Sequence, residues 1–321
     1  SSGFIKNYDT NVFEKTNINN LIFNTNYKIT NNGLKNNLNF LIKNVNSNAQ
    51  KSEKYKNKNS NHMASIMQYN VSYPLIKEVN GNTNKINPKM VLKFSPSHTK
   101  KSIDKKDNRI DMNNVYSIDR IGNNDTVEGG TSLTLGSDFI KSNDADKDIF
   151  KTSIASVFRF EENDKLPTQN ALGEKTSDII GNIEYSPNDK LSLGYDYSLD
   201  SNLNNFNYQE FNTEFKINNF VTSFEFLNEN KSQNRTNYIS NRTSYALGDN
   251  NNFSFETRNN KKTNMTEFYN LIYQYRNDCL IAAIEYNKDY YTDRDLQPDE
   301  SFFFKLTIIP FGEASLPGFS Q

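Results

Sequence analysis

The chain has 321 residues, a formal net charge of −1 and 23% charged residues, without the basic excess of a nucleic-acid binder. Two histidines, His62 and His98, and one cysteine, Cys279, are too few for a clustered metal site, so no metal or cofactor is expected and catalysis has little to work with. No run of 18 apolar residues is present to cross a bilayer as a helix, yet 23 Phe and 18 Tyr are too many for a disordered chain.

In chain order, Ser1-Ser2-Gly3-Phe4 offers no initiator Met, basic segment or apolar segment of a secretory leader, and the chain reads as a fragment. Strands are predicted over 1–9, 19–31 and 33–44, the last two joined by the turn Thr30-Asn31-Asn32-Gly33. Over 62–75, Met67, Tyr69, Val71, Tyr73 and Leu75 alternate with Gln68, Asn70, Ser72 and Pro74. Over 84–95, Met90, Leu92 and Phe94 alternate with Val91, Lys93 and Ser95. Residues 96–127 read as a long polar loop, followed by strands over 128–139 and 150–161.

The clearest segment lies in the pair 176–186 and 190–199, joined at Ser186-Pro187-Asn188-Asp189. There Leu191, Leu193, Tyr195, Tyr197 and Leu199 alternate with Ser192, Gly194, Asp196 and Ser198, one greasy face and one wet face. Tight links at Asn218-Asn219, Leu247-Gly248-Asp249 and Arg276-Asn277-Asp278 join the pairs 206–217 with 218–228, 235–246 with 250–259, and 264–276 with 278–289. A last strand, 300–311, sets Phe302, Phe304, Leu306 and Ile308 against Phe303, Lys305, Thr307 and Ile309.

The pattern amounts to about sixteen strands of roughly ten residues, the length a tilted strand needs to cross hydrocarbon. Short links nearly alternate with long polar ones at 44–62, 95–127, 160–176 and 289–300, as the two ends of an outer-membrane barrel require; 76–83 and 140–149 are exceptions. A soluble sandwich would have strands of about five to six residues and no such parity, and a solenoid would show a fixed period. The expected fold is therefore all-β: an antiparallel transmembrane outer-membrane β-barrel. Such a sheet must close, because lipid leaves an unpaired strand edge without water. Sixteen strands could close as a porin or belong to something larger.

The C-terminal segment runs from Tyr273-Gln274-Tyr275-Arg276-Asn277-Asp278-Cys279 through Asp293-Arg294-Asp295-Leu296-Gln297-Pro298 to Phe302-Phe303-Phe304 and Ile309-Pro310-Phe311-Gly312. It resembles the end of the LptD (OstA) family of lipopolysaccharide (LPS) assembly proteins. Ser72-Tyr73-Pro74-Leu75-Ile76, Ile86-Asn87-Pro88 and Phe94-Ser95-Pro96 resemble that family's middle strands. Ser117-Ile118-Asp119-Arg120, Val127-Glu128-Gly129-Gly130-Thr131 and Leu135-Gly136 resemble its loop-to-strand motif.

The resemblance implies that residues 1–321 are the C-terminal part of a larger barrel in a Gram-negative outer membrane. An N-terminal jellyroll domain and the early strands would lie upstream. It implies a non-enzymatic translocon inserting LPS into the outer leaflet, with an LptE-like plug lipoprotein in the lumen. The missing domain would receive LPS from a periplasmic bridge protein, and barrel-assembly machinery would recognise the aromatic last strand. The same resemblance makes Cys279 a disulfide candidate with a partner upstream; a small buried residue is the alternative. It also makes Phe302, Phe304, Leu306, Ile308, Pro310 and Phe311 one edge of a lateral gate, though Pro310 could simply end the strand.

Asp289, Asp293, Asp295, Asp299 and Glu300 crowd one loop, where they read as a solvated charged run before a cation site. The Asn-x-Thr triplets at Asn234 and Asn241 are expected by chance in so Asn-rich a chain. The competing functions are a complete porin, which would need Arg facing Asp/Glu across a constriction, and a hydrolase using His62 or His98.

Overall fold

The computed structural model describes residues 2–7, 12–97, 109–122, 125–230, 236–290, 299–308, 312–315 and 319–320; for 2, 4–7 and those beyond 308 only the backbone is described. Every regular element among them is a strand. In chain order these are β1 (Ser2–Asn7), β2 (Phe13–Asn24), β3 (Lys28–Ile29), β4 (Lys35–Gln50), β5 (Ser60–Ser72), β6 (Leu75–Val79), β7 (Asn82–Ser95), β8 (Gly130–Ser142), β9 (Asp148–Arg159) and β10 (Ile179–Asn188). They continue as β11 (Leu191–Leu199), β12 (Phe206–Ile217), β13 (Phe220–Glu229), β14 (Asn237–Leu247), β15 (Asn251–Asn260), β16 (Met265–Arg276), β17 (Leu280–Asp289), β18 (Glu300–Ile308), β19 (Gly312–Ser315) and β20 (Phe319–Ser320).

Two pairs are single strands with a break. β5 and β6 both ladder onto β7, from Met67↔Phe94 to Ser72↔Lys89 and from Leu75↔Ile86 to Val79↔Asn82. The break falls at Tyr73-Pro74, because proline has no N–H to give the ladder. Likewise β2 and β3 share β4 as partner. With those pairs merged, β1 to β18 are the sixteen segments that the sequence pattern predicts.

Both exceptions to the link parity disappear. The strand beginning at Ser60 runs on to Val79 and turns at Asn80-Gly81, whose φ angles of 51° and 77° make the two-residue turn that matches strand twist. At 143–147 the Asn143 side chain accepts hydrogen bonds from the Ala145 and Lys147 amides, closing a tight turn with Asp146 at φ 59°. Every second link is then tight, and the links between them are longer except at 261–264, where four residues join β15 to β16. The boundaries shift where polar residues pair as well as apolar ones: β4 reaches Gln50, beyond the expected 44, through a ladder of Asn and Ser.

The chain divides into two compact units. The first holds Ser1–Asn182 with Tyr197–Asn207, the second Ile183–Asp196 with Tyr208–Gln321. In the first unit the antiparallel ladders β1–β2, β2–β4, β4–β5, β5–β7, β7–β8 and β8–β9 line side chains up in cross-strand rows. One row reads Leu38–Tyr69–Leu92–Leu133–Phe158 and the next reads Asn39–Gln68–Lys93–Ser132–Arg159. The apolar row is the exposed one, with Tyr69 at 38% and Leu92 at 40%, while Lys93 in the polar row is 1% exposed.

That inversion is the reverse of a soluble sheet, where the apolar row would be covered. Because the side-chain period is two, a one-residue slip would exchange the two rows entirely, so the register is strongly fixed.

What covers the polar side is loop. Residues 109–122 and 125–127, within the expected polar loop, and 128–129, expected to begin a strand, fold against the inner face of β4 to β9 together with 160–178. Ile110, Val115 and Ile121 from the first loop and Leu166 and Leu172 from the second form a buried cluster with Ala155 and Val157 of β9 and Ile180 of β10. Val127 joins Leu41, Ala64 and Ile66 in a smaller one, against which Ile118 packs. The Asn170 side chain accepts from the Ile110 amide (2.9 Å), tying the two loops together.

In the second unit β12 to β18 form successive antiparallel ladders. The row Ile217–Phe220–Tyr245–Phe253–Tyr273–Ile284–Phe304 is apolar throughout, and these residues are half-exposed, Phe304 at 42%. The opposite face carries Glu214–Ser223–Arg242–Glu256–Asn270–Asn287–Ser301. Its first four residues, Glu214 to Glu256, border a cavity of about 410 Å³ that Glu184, Ser192, Glu225 and Ser240 also line.

Candidate functional site

The most constrained chemistry lies where loop 109–129 meets the polar row of the first unit. Glu128 precedes β8 by two residues and points onto that row, 1% exposed. Arg120 donates to it through both Nε and Nη2 (2.5 Å each), a two-pronged fit of guanidinium to carboxylate. Arg159, at the end of β9, donates from Nη1 to the same carboxylate at 2.6 Å and from Nη2 to the Gly129 carbonyl. Lys93 of β7 lies 3.5 Å from Glu128 and donates to the Ser117 carbonyl at 2.8 Å. Remaining guanidinium protons of Arg120 go to Ser132 (2.7 Å) and Thr134 (2.9 Å) of β8.

Burial works against ionisation of Glu128, but Arg120, Lys93 and Arg159 outweigh it and hold the carboxyl well below its ordinary range. Three further attachments extend this lock. Lys43 of β4 bonds Asp119 (2.7 Å) and the Thr126 carbonyl (3.1 Å). Gln68 of β5 donates to the Tyr116 carbonyl at 2.9 Å. In loop 51–59, Tyr55 donates to Asp125 at 3.2 Å; burial and that carboxylate push its phenol up to about 12. A second network pins loop 160–178: Asn170 donates to Ser198 (2.9 Å), and both Ser198 and Asn207 donate to Asp178 (2.8 and 2.7 Å).

Such an arrangement holds a loop inside a wall of strands while the outside stays greasy. Asp119, Arg120 and Glu128 of the lock sit in the Ser-Ile-Asp-Arg and Val-Glu-Gly-Gly blocks noted in the sequence, but neither block was assigned a charge role. The readable signal was an apolar residue every few positions, Ile110, Met112, Val115, Ile118 and Ile121, inside a segment otherwise polar.

Of the sequence candidates, Cys279 is a free, exposed thiol. It lies in the turn before β17 and not, as expected, on the strand face: the Asn277 carboxamide accepts from both the Cys279 and Leu280 amides, so pairing starts one residue later. Phe302, Phe304, Leu306 and Ile308 share one face of β18, opposite Tyr286, Ile284, Ala282 and Leu280. Pro310 and Phe311 lie outside the described residues. The other edge of β18 is taken by the chain's own tail, Lys305↔Ser315 to Ile308↔Gly312 in β19 and Phe302↔Phe319 in β20. In the acidic loop, Lys288 and Tyr286 engage Glu300 (3.3 and 2.9 Å), while Asp293 and Asp295 are outside the described residues. So are Asn234 and His98; Asn241 lies on the apolar face and bonds Thr222 at 3.1 Å. His62 is half-buried on β5 opposite Val45.

Membrane-length antiparallel strands with an exposed apolar face, a loop-covered wet face and links that alternate in length define the class: an outer-membrane β-barrel protein. The family model described as "LptD: LPS transport system D" matches residues 23–250, more than half of the chain. The chain therefore belongs to the LptD family, whose place is the Gram-negative outer membrane and whose work is LPS transport.

Among solved structures the chain is similar to a mutant of the Rh. blastica porin, at 11% identity and a TM-score of 0.34, over 90% of this chain and 91% of that one. It is also similar to a structure described as "Asymmetric conductivity of engineered proteins", at 11% identity and a TM-score of 0.32, with the same coverage. Likenesses that weak carry no argument. No curated protein matches the chain.

Proposed function

We propose that residues 1–321 are the C-terminal part of a barrel that inserts LPS into the outer leaflet of the outer membrane. Membership of the LPS-transport family carries this reading. The wet inner face supports it, since a path for a sugar-rich, charged headgroup needs polar walls inside an apolar exterior. On this reading an LptE-like lipoprotein fills the lumen, a periplasmic bridge protein delivers LPS to a domain upstream, and barrel-assembly machinery engages the aromatic β18.

Cys279, exposed beside a tight turn, forms a disulfide with a cysteine upstream of residue 1, because the periplasm oxidises accessible thiols. Phe302, Phe304, Leu306 and Ile308, followed by Pro310 and Phe311, form one side of the lateral gate.

Depletion of the protein in its host tests the reading. LPS on intact cells, measured with an antibody to its saccharide, should fall while LPS accumulates inside, and the full-length gene should restore it. Undiminished surface LPS combined with reduced uptake of small solutes would establish a diffusion channel instead.

A further inference from the structure

Below the ionic lock, the inner face of the first unit encloses a cavity of about 290 Å³ between β4, β5 and β7, closed on one side by Tyr116. Register places Lys35, Ser72 and Lys89 in one cross-strand row at its floor, so two ammonium groups flank one hydroxyl. Lys35 lies over the Tyr27 ring (4.4 Å to its centre) and has no carboxylate in ion-pair range among the described residues. Lys89 lies over the Tyr116 ring at 4.9 Å and also pairs with Asp138.

Above that row runs a chain of oriented carboxamides. Gln68 donates to Asn70 (2.8 Å), Asn70 to Asn37 (3.0 Å), and Asn37 to Asn39 (2.8 Å). The Tyr116 carbonyl can only accept, so the Gln68 amide nitrogen must face it, which fixes the whole chain's direction. Gln68 is 2% exposed, and its Oε1 is then a buried acceptor without a partner. Asn87 Oδ1, which lines the same cavity, is also buried without a partner, while the Tyr116 hydroxyl packs against Gly136 and Ile154.

Burial, and the nearby Asp138, keep the Tyr116 phenol protonated and therefore a donor. Its ring fits against the wall only because residue 136 is glycine: a Cβ there would collide with the Tyr116 hydroxyl and the Ile154 carbonyl. Two orphan acceptors in one cavity each carry an uncompensated desolvation cost unless something bonds them.

We propose that this cavity binds a phosphorylated saccharide. The two ammonium groups take the phosphate, the open aromatic face of Tyr27 takes the C–H face of the sugar ring, and Gln68 and Asn87 accept from its hydroxyls. Resting on the LPS-transport reading, this deepens it: the ligand is the phosphate-bearing sugar region of LPS in transit.

The test uses the full-length protein in detergent micelles and three probes titrated by calorimetry: glucosamine 1-phosphate, inorganic phosphate and glucosamine. The sugar phosphate should bind at least tenfold tighter than either part. Lys35→Gln should weaken it at least fivefold, and Asp138→Asn, which releases Lys89, should tighten it. Failure of the sugar phosphate to bind, binding no tighter than phosphate alone, or affinity unchanged in both variants would each overturn the site. A protein that still delivers LPS to the cell surface yet binds none of the probes would remove this site and leave the transport reading standing.

Discussion

Glu128→Gln should release loop 109–129 from the wall. The substitution keeps the shape but removes the negative charge that faces Arg120, Arg159 and Lys93, all within 3.5 Å of it. Each of those cations is at most 2% exposed. Removing one member of a buried ionic group costs about 3–5 kcal/mol because the partners stay buried and unpaired, and three partners here place the cost at the upper end.

The loop need not unfold the wall to escape that cost, so local opening should absorb it. A cost of about 3–5 kcal/mol multiplies the open population by on the order of 10²–10⁴. Amide hydrogen exchange, read on peptides from 109–129 against peptides from β7 and β8, measures that ratio directly. Protection of the loop in Glu128→Gln within tenfold of the parent would refute the lock.

The pH dependence has a definite sign. Glu128 has a folded value lowered below its unfolded one, so its contribution is fully present above the ordinary carboxylate range. It is lost only as pH falls below that range through the depressed folded value. Loop protection should therefore be the same at pH 5 and pH 7.5.

Other consequences are equally direct. On the apolar face of β13, Phe224→Arg at mid-strand should cost about 2–4 kcal/mol and Phe220→Arg beside the turn about 0–1 kcal/mol in a lipid-vesicle refolding titration; equal costs would show that the face does not meet lipid. Gly136→Ala should displace Tyr116 and strain the β8–β9 ladder at Ile154, costing about 1–3 kcal/mol by overpacking, seen as lost protection at 115–117 and around residue 136; unchanged protection at both places would refute the fit. Cys279 in the mature protein should resist maleimide until reduced, and Cys279→Ser should leave folding intact while impairing LPS export; ready labelling without reductant would remove the disulfide.

The strands and the faces they present were legible in the sequence because both are local properties. Leu191 to Leu199 alternates whatever surrounds it, and a tight turn needs only residues such as Asn218-Asn219. Family membership was legible for a related reason: Tyr73-Pro74 and Leu135-Gly136 mark a strand break and a glycine that no other residue type replaces easily. Two features were decided elsewhere. Strand β5 seemed to end at Leu75 because proline interrupts pairing, and only β7 on its far side shows that pairing resumes.

Residues 96–127 read only as a long polar loop because their composition is polar. Burial of loop 109–129 depends on Glu128 meeting Arg159, which a separate strand supplies, and on Asp119 and the Thr126 carbonyl meeting Lys43, which lies still further away in the chain. A charged residue in sequence says only that it needs water or a counterion. Which of the two it receives is settled by cross-strand register, the quantity that sets Lys93, Ser132 and Arg159 side by side beneath that loop.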